Sequence, residues 1–167
     1  FLFFFACEPD TIDNLDYPLE YGEGVYILTE QGITYYDNTS PDTAKIIKEN
    51  IFHSVNSQTI FNPSSIKIIN EDMYIVSENT LYRANINTFL KEIEISGFIN
   101  AQKCENAKFN RLYVSDIGES EIKVVDLNKL DITAHITTGI GSNPTDIVVN
   151  WGRAFVVNSG GDDVSDY

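Results

Sequence analysis

The sequence predicts an all-β fold assembled from about three to four copies of one four-stranded antiparallel sheet. Three observations carry that prediction. Four apolar bursts of one shape, VYILTE from Val25, MYIVSE from Met73, LYVSDI from Leu112 and AFVVNS from Ala154, recur at intervals of 48, 39 and 42 residues. Self-similarity at such a near-constant spacing marks a stacked or radial repeat. The bursts are rich in Val, Ile, Tyr and Phe and are bounded by Gly, Asn, Asp and Ser, which selects strands over helices. VYIL and MYIV are apolar at consecutive positions, so both faces of these strands must be covered.

A longer phrase repeats too. NPSSIKIINEDMYIVSENT from Asn62 and NPTDIVVNWGRAFVVNSGG from Asn143 share Asn-Pro, two small polar residues, an apolar run, a polar break and a second apolar run. A strand (SIKII, TDIVV) therefore precedes the burst. After the burst a tight polar turn leads to a third run (ITYYD, LYRANI, EIKVVDL), and KEIEI and ITAHI add a fourth in the middle repeats. A four-stranded sheet covered on both faces by copies of itself is a β-propeller blade. The phrase recurs because the inner strands of each blade must pack on the next blade in the same way. The aromatics at the second place of each burst, Tyr26, Tyr74, Tyr113 and Phe155, are expected in equivalent environments. Between the first two units, TAKIIKENIFHSV reads as about three turns of helix and accounts for the longest interval.

Upstream of the repeats, FLFFFACEPD sets five large apolar residues and Ala6 before Cys7, with acidic residues and a proline directly after. This run resembles the tail of a lipoprotein signal peptide, in which a small residue precedes the cysteine that is cut and lipidated. The resemblance makes residues 1–6 a remnant of that leader, Cys7 the lipidation site, residues 7–23 an acidic tether and residues 24–167 the blades. It implies a protein held on a membrane surface in the cell envelope by its lipid. A hydrophobic N-terminal strand with a buried thiol is the alternative at this stretch.

A net charge of −14 argues against a nucleic-acid partner, because a polyphosphate would repel the chain. Cys7 and Cys104 are too few for a disulfide framework. Neither His53 nor His135 has a second nitrogen or sulfur ligand at zinc spacing, so no metal site is expected. No nucleophile elbow, zinc-protease motif or phosphate-binding glycine loop is present, and no catalytic residue is assigned.

YVSD, KVVDL, TGIGSNP and FVVNSG follow one another through the third and fourth repeats. This order resembles the YVTN-type β-propeller repeat, in which a strand ending in Val-Asn or Val-Ser leads through a turn to a Val-x-Val-Asp-like strand and then a Gly-x-x-Pro step. GVYILTEQGITYYD behind a lipoprotein leader also resembles the first blade of Bacteroidota-type surface propeller lipoproteins. The resemblance implies about seven blades, so this chain is expected to be part of a longer one. A four-bladed ring closed by the N-terminal segment is the alternative. DTI at Asp10 and DTA at Asp42 resemble the O-glycosylation acceptor of such envelopes.

In a propeller, the turns between second and third strands share one rim with the links between blades. The turns assign Glu30, Glu78, Asp116, Glu119, Glu121, Asn158, Asp162 and Asp163 to that rim, and the links add Phe98 and Asn143. The expected rim is acidic and suited to ligand capture over a channel; the plainer reading is a solvated rim that keeps the protein soluble. SGGDDVSD reads as an Asx-rich hairpin, since its spacing is not that of a calcium loop. Trp151, on the opposite rim, is expected to pack over the blade end, Cys104 to be a buried inert thiol, and His53 and His135 to be exposed.

The function these expectations favour is non-catalytic capture of a small molecule, glycan or cofactor for an outer-membrane transporter. The family resemblance includes a cobalamin-capturing type as one possible ligand. Two other classes compete: a protein-interaction scaffold in an envelope complex, and a lactonase- or quinoprotein-like enzyme whose site would draw on further blades.

Overall fold

The computed structural model describes residues 21–38 and 47–160. Four antiparallel sheets follow one another along the chain. The first holds β1 (Val25–Thr29), β2 (Gly32–Tyr36) and β3 (Ile47–Lys48). A short helix α1 (Ile51–Asn56) leads to the second sheet, β4 (Pro63–Ile69), β5 (Asp72–Ser77), β6 (Thr80–Asn85) and β7 (Lys91–Ser96). The third holds β8 (Ala101–Ala107), β9 (Arg111–Asp116), β10 (Glu121–Asp126) and β11 (Asp131–Thr137). The fourth is described as β12 (Pro144–Asn150) and β13 (Arg153–Asn158).

The repeated phrase is a repeated register. The first strand of the second, third and fourth sheets starts with the same irregularity, between Pro63 and Ser65, Ala101 and Lys103, and Pro144 and Asp146. One residue is skipped in each ladder, as in a β-bulge; the Asn-Pro step with its small followers supplies it in the second and fourth sheets, and Asn100-Ala101-Gln102 stands there in the third. Asn62 and Asn143 enter these strands at left-handed φ of 46° and 48°, a conformation Asn tolerates better than most residues. The turns after the third strands match as well. Asn85 Oδ1 accepts from the N–H of Asn87 and Thr88, and Asp126 Oδ1 accepts from those of Asn128 and Lys129.

The sheets are arranged radially. The first strands β4, β8 and β12 lie side by side, and β1 packs against β4. Ion pairs span this inner row, Lys67 with Glu105 at 2.5 Å and Lys103 with Asp146 at 3.8 Å. Side chains alternate across a strand, so β5 serves two cores. Met73 and Ile75 join Ile33, Tyr35, Tyr82 and Phe89 between the first two sheets, with Ile51 and Phe52 of α1. Tyr74 and Val76 join Leu81, Leu112, Val114 and Val125 between the second and third.

Tyr26, Tyr74, Tyr113 and Phe155 occupy the same position in their strands, but their burial differs. Tyr74 is buried, Tyr26 and Tyr113 are half-buried, and Phe155 is exposed. Val148 and Val157 accompany Phe155 on the free side of the fourth sheet, as Val25 and Ile27 do on that of the first.

The segment read as a three-turn helix is mostly something else. Residues 43–46 lie outside the described residues, Ile47 and Lys48 pair with Tyr36 and Tyr35 as an edge strand, and the helix is confined to Ile51–Asn56. Asn50, at φ 48°, breaks the helical path between them. Tyr21, which the expected tether of residues 7–23 includes, is buried against Tyr35 and Phe89. No helix among the described residues is long and apolar enough to cross a membrane.

Candidate functional site

The turns between second and third strands and the links between sheets meet on one rim through backbone hydrogen bonds. Asn62 N donates to Glu30 O at 3.2 Å, Ala101 N to Glu78 O at 2.7 Å, Ile117 N to Asn100 O at 3.0 Å and Thr138 N to Ser120 O at 3.0 Å. Each link is thereby fastened to a neighbouring turn, and side chains on both can reach one surface.

At the first sheet this rim holds a cavity of about 470 Å³ lined by Thr29, Glu30, Gln31, Thr34, Glu49 and Asn50. Glu30 and Gln31 come from the β1–β2 turn, Glu49 and Asn50 from the step between β3 and α1. Gly32 lets Asn50 approach, since a Cβ there would lie 2.6 Å from Asn50 Oδ1. That oxygen is buried with no hydrogen-bond donor. The lining combines two carboxylates, which only accept, with two amides and two hydroxyls, which accept and donate. It suits a ligand rich in hydrogen-bond donors, and nothing in it is arranged as a nucleophile with a base.

At the third sheet the acidic residues are not free for a ligand. Lys123 projects into them from β10 with 2% of its side chain exposed. Its ammonium meets Asp116 at 2.9 Å, Glu121 at 3.7 Å, Glu119, and the carbonyl of Gly97 at 2.6 Å. Asp116, expected on the rim surface, is fully buried. It accepts from Ile99 N, Asn100 N and Gly118 N at 2.9, 2.9 and 3.1 Å and so locks the link onto the blade. Burial alone would raise its pKa; the hydrogen bond from Lys123 and those from Ile99 and Asn100 outweigh it and hold the carboxyl below its ordinary value. Burial would likewise lower the Lys123 pKa, but Glu119 and Asp116 raise it. Phe98, expected to face a ligand, is 5% exposed and packs in the second core, its ring 5.5 Å from the Lys123 ammonium. Phe98 is turned inward, as the hydrophobic effect favours, while its neighbour Ile99 stays exposed.

The other assigned residues scatter along the rim. Glu78 is exposed and accepts from Asn62 Nδ2 at 3.1 Å. Glu121 also meets His135 Nδ1 at 2.7 Å, a pair with no nucleophile bonded to it. Asn143 donates through Nδ2 to Gly160 O at 2.7 Å, and Asn158 is exposed at the end of β13. Cys7, Asp162 and Asp163 lie outside the described residues. Among the described residues no group of three or more His, Cys, Asp or Glu could hold a metal ion. Glu49 and Asn50 were missed because the segment carrying them read as helix. Lys123 was missed because a lysine in a strand reads as solvent-facing.

Cys104 is buried as expected, its thiol 3.6 Å from Ser65 Oγ and pushed up to about 11 by burial. Trp151 departs from expectation: it is 92% exposed and packs over nothing.

The sequence matches no family model and no curated protein. Solved structures do resemble the fold. Glutaminyl cyclase from Myxococcus xanthus superimposes with a TM-score of 0.53 at 13% identity, over 82% of this chain and 64% of that one. Dihydro-heme d1 dehydrogenase NirN, solved in complex with DHE, gives 0.50 at 9% identity, over 78% of this chain and 32% of that one. The chain thus spans under two thirds of the length of the first and about a third of the second. Both neighbours are β-propeller-like folds. The radial sheets, the repeated register and these two likenesses together give the chain a β-propeller fold, with four antiparallel sheets of two to four strands among the described residues.

Proposed function

We propose that this β-propeller captures a small, donor-rich ligand non-catalytically at its acidic rim, as an envelope protein anchored through Cys7 that passes its cargo to an outer-membrane transporter. One observation carries the binding half of this reading: Glu30, Glu49 and Asn50 line one cavity on the first blade, and the side-chain oxygen of Asn50 is buried there without a donor of the protein's own. A buried acceptor without a donor is costly, and a hydroxyl or ammonium group of a ligand would satisfy it. Glycans, amino sugars and amine-bearing cofactors have that chemistry; anionic ligands would be repelled.

Calorimetry and thermal shift against neutral sugars, amino sugars and polyamines test the reading. A ligand should bind the parent protein without turnover, and Glu30→Gln with Glu49→Gln should weaken it at least about tenfold, the loss expected for one or two charge-assisted hydrogen bonds. Binding that ignores both substitutions would place the ligand elsewhere. The absence of any hit across the panel would leave this rim a solvated surface.

A further inference from the structure

We propose that the rim opposite the cavity, at the hairpin tips of the third and fourth blades, docks onto an anionic lipid surface. Two aromatics stand out there with no packing role. Phe109, at the β8–β9 tip, is 84% exposed, and Trp151, at the β12–β13 tip, is 92% exposed. Both sit at positive φ, 62° and 53°. Tight hairpins ordinarily place Asn, Asp or Gly at such positions, and a bulky ring is strained there. The turns therefore do not explain the rings.

The two tips are neighbours. A Cβ on Gly152, beside Trp151, would lie 2.8 Å from Lys108 Cε, so the stem of Lys108 crosses the gap between the aromatics. The β10–β11 turn joins them, with Leu127 N donating to Asn110 O at 2.8 Å. Lys108, Arg111, Lys129 and Arg153 all lie on these tips and the adjoining strand ends, four of the eleven Lys and Arg in a chain of net charge −14. None of the four is in a salt bridge among the described residues. The facing acids are Asp126, whose Oδ1 caps its own turn, and Asp131, whose Oδ1 accepts from Ile132 N. Four cations against these two carboxylates make the tips of the third and fourth blades locally positive, although Lys129 and Arg111 also act on Asp126 and the β4–β5 tip of the same rim carries Glu71 and Asp72.

The separation from the acidic rim lets the local charge dominate. Six-residue strands hold the two rims about 20 Å apart, more than twice the Debye length of about 8 Å at physiological salt. Exposed Trp and Phe with interspersed Lys and Arg are the chemistry of a bilayer interface, where rings enter the headgroup layer and basic groups meet anionic phosphates. The rings stand on two projecting tips and flank no groove, which favours a flat bilayer over a threaded glycan. Tyr21 lies on this side too: its N donates to Asn87 O, in the β6–β7 turn of the same rim. A tether from Cys7 would hold this rim toward the membrane and leave the cavity facing away.

Trp151 is the one tryptophan of the sequence, so its emission reports on the tip directly. The full chain, with Cys7→Ser so that no acyl group contributes, is mixed with phosphatidylcholine vesicles with and without phosphatidylglycerol. The proposal expects flotation with the anionic vesicles, a blue shift of Trp151 emission, and affinity about fivefold lower for each of Lys108→Gln and Arg153→Gln. Phe109→Ser should weaken binding while far-UV circular dichroism stays unchanged. Unshifted emission with both vesicle types, equal binding to neutral vesicles, or the same shift with soluble dextran sulfate would overturn it. These readouts involve neither the cavity nor lipidation, so they are independent of the ligand-capture reading.

Discussion

Replacing Lys123 by Met tests the claim that a buried charge cluster fastens the second blade to the third. In the parent protein the ammonium is 2% exposed and lies 2.9 Å from the fully buried Asp116 carboxylate. Methionine fills similar space and removes only the charge and its donors. Glu119, 43% exposed, can turn to water; Asp116 cannot, and keeps only its three backbone N–H partners. Breaking a buried pair by deleting one partner costs about 3–5 kcal/mol. At about 2–4 °C per kcal/mol for a chain of this size, the midpoint should fall by roughly 6–20 °C. Urea unfolding followed by circular dichroism measures the loss. Lys123→Met with Asp116→Asn should recover part of it, since no uncompensated charge remains, but the Asn amide nitrogen then faces a backbone N–H from which the second carboxylate oxygen had accepted a hydrogen bond. The acid limb should change as well. Because the Asp116 pKa is lowered in the fold, its contribution is present above the ordinary carboxylate value of about 3.9 and is lost as pH falls through the folded value. Lys123 is raised, so its contribution holds up to about pH 10.4 and disappears above. The single variant should therefore lose less further stability on acidification than the parent. A cost under about 1 kcal/mol, the range of exposed pairs, together with an unchanged acid limb would refute the buried-charge argument.

Two further outcomes follow from the same packing. With its thiol pushed up to about 11, Cys104 should resist alkylation at pH 8 in the native protein and react on unfolding, as peptide mapping that separates it from Cys7 would read; native labelling at the rate of a free thiol would contradict its burial. Phe98→Ala should cost about 3–5 kcal/mol of unfolding free energy while leaving cavity affinity intact under folded conditions, and a loss of affinity with no loss of stability would return Phe98 to the ligand surface.

How much of this was legible depended on whether a residue obeyed its repeat. β5 and β9 could be read from MYIVS and LYVSD because β-branched and aromatic runs between polar turns have one stable use. The Asn-Pro phrase pointed to a shared strand start, and the structure adds that it encodes a shared bulge. The segment from Thr43 to Val55 was misread because IIKENIF has helical spacing, while the open edge of β2 and the left-handed Asn50 decide otherwise. The Lys123 cluster left a signal that went unused. Asp116 stands where the other blades have Thr29 and Ser77, and Lys123 where they have Thr34 and Tyr82. Opposite charges that depart from a repeat in one and the same copy are most simply explained by each other. Phe98 and Trp151 were exchanged in expectation, one assigned outward and found buried, the other the reverse, because the direction of a turn residue is set by backbone angles that hydrophobicity does not report.

The alternation along β5 reaches beyond its own blade. With Met73 and Ile75 turned one way and Tyr74 and Val76 the other, this strand is a party wall: no apolar substitution on it is private to one side. A misfit there would loosen two neighbours at once. Tolerance to mutation should accordingly be narrow all along this strand, whichever core a given side chain enters.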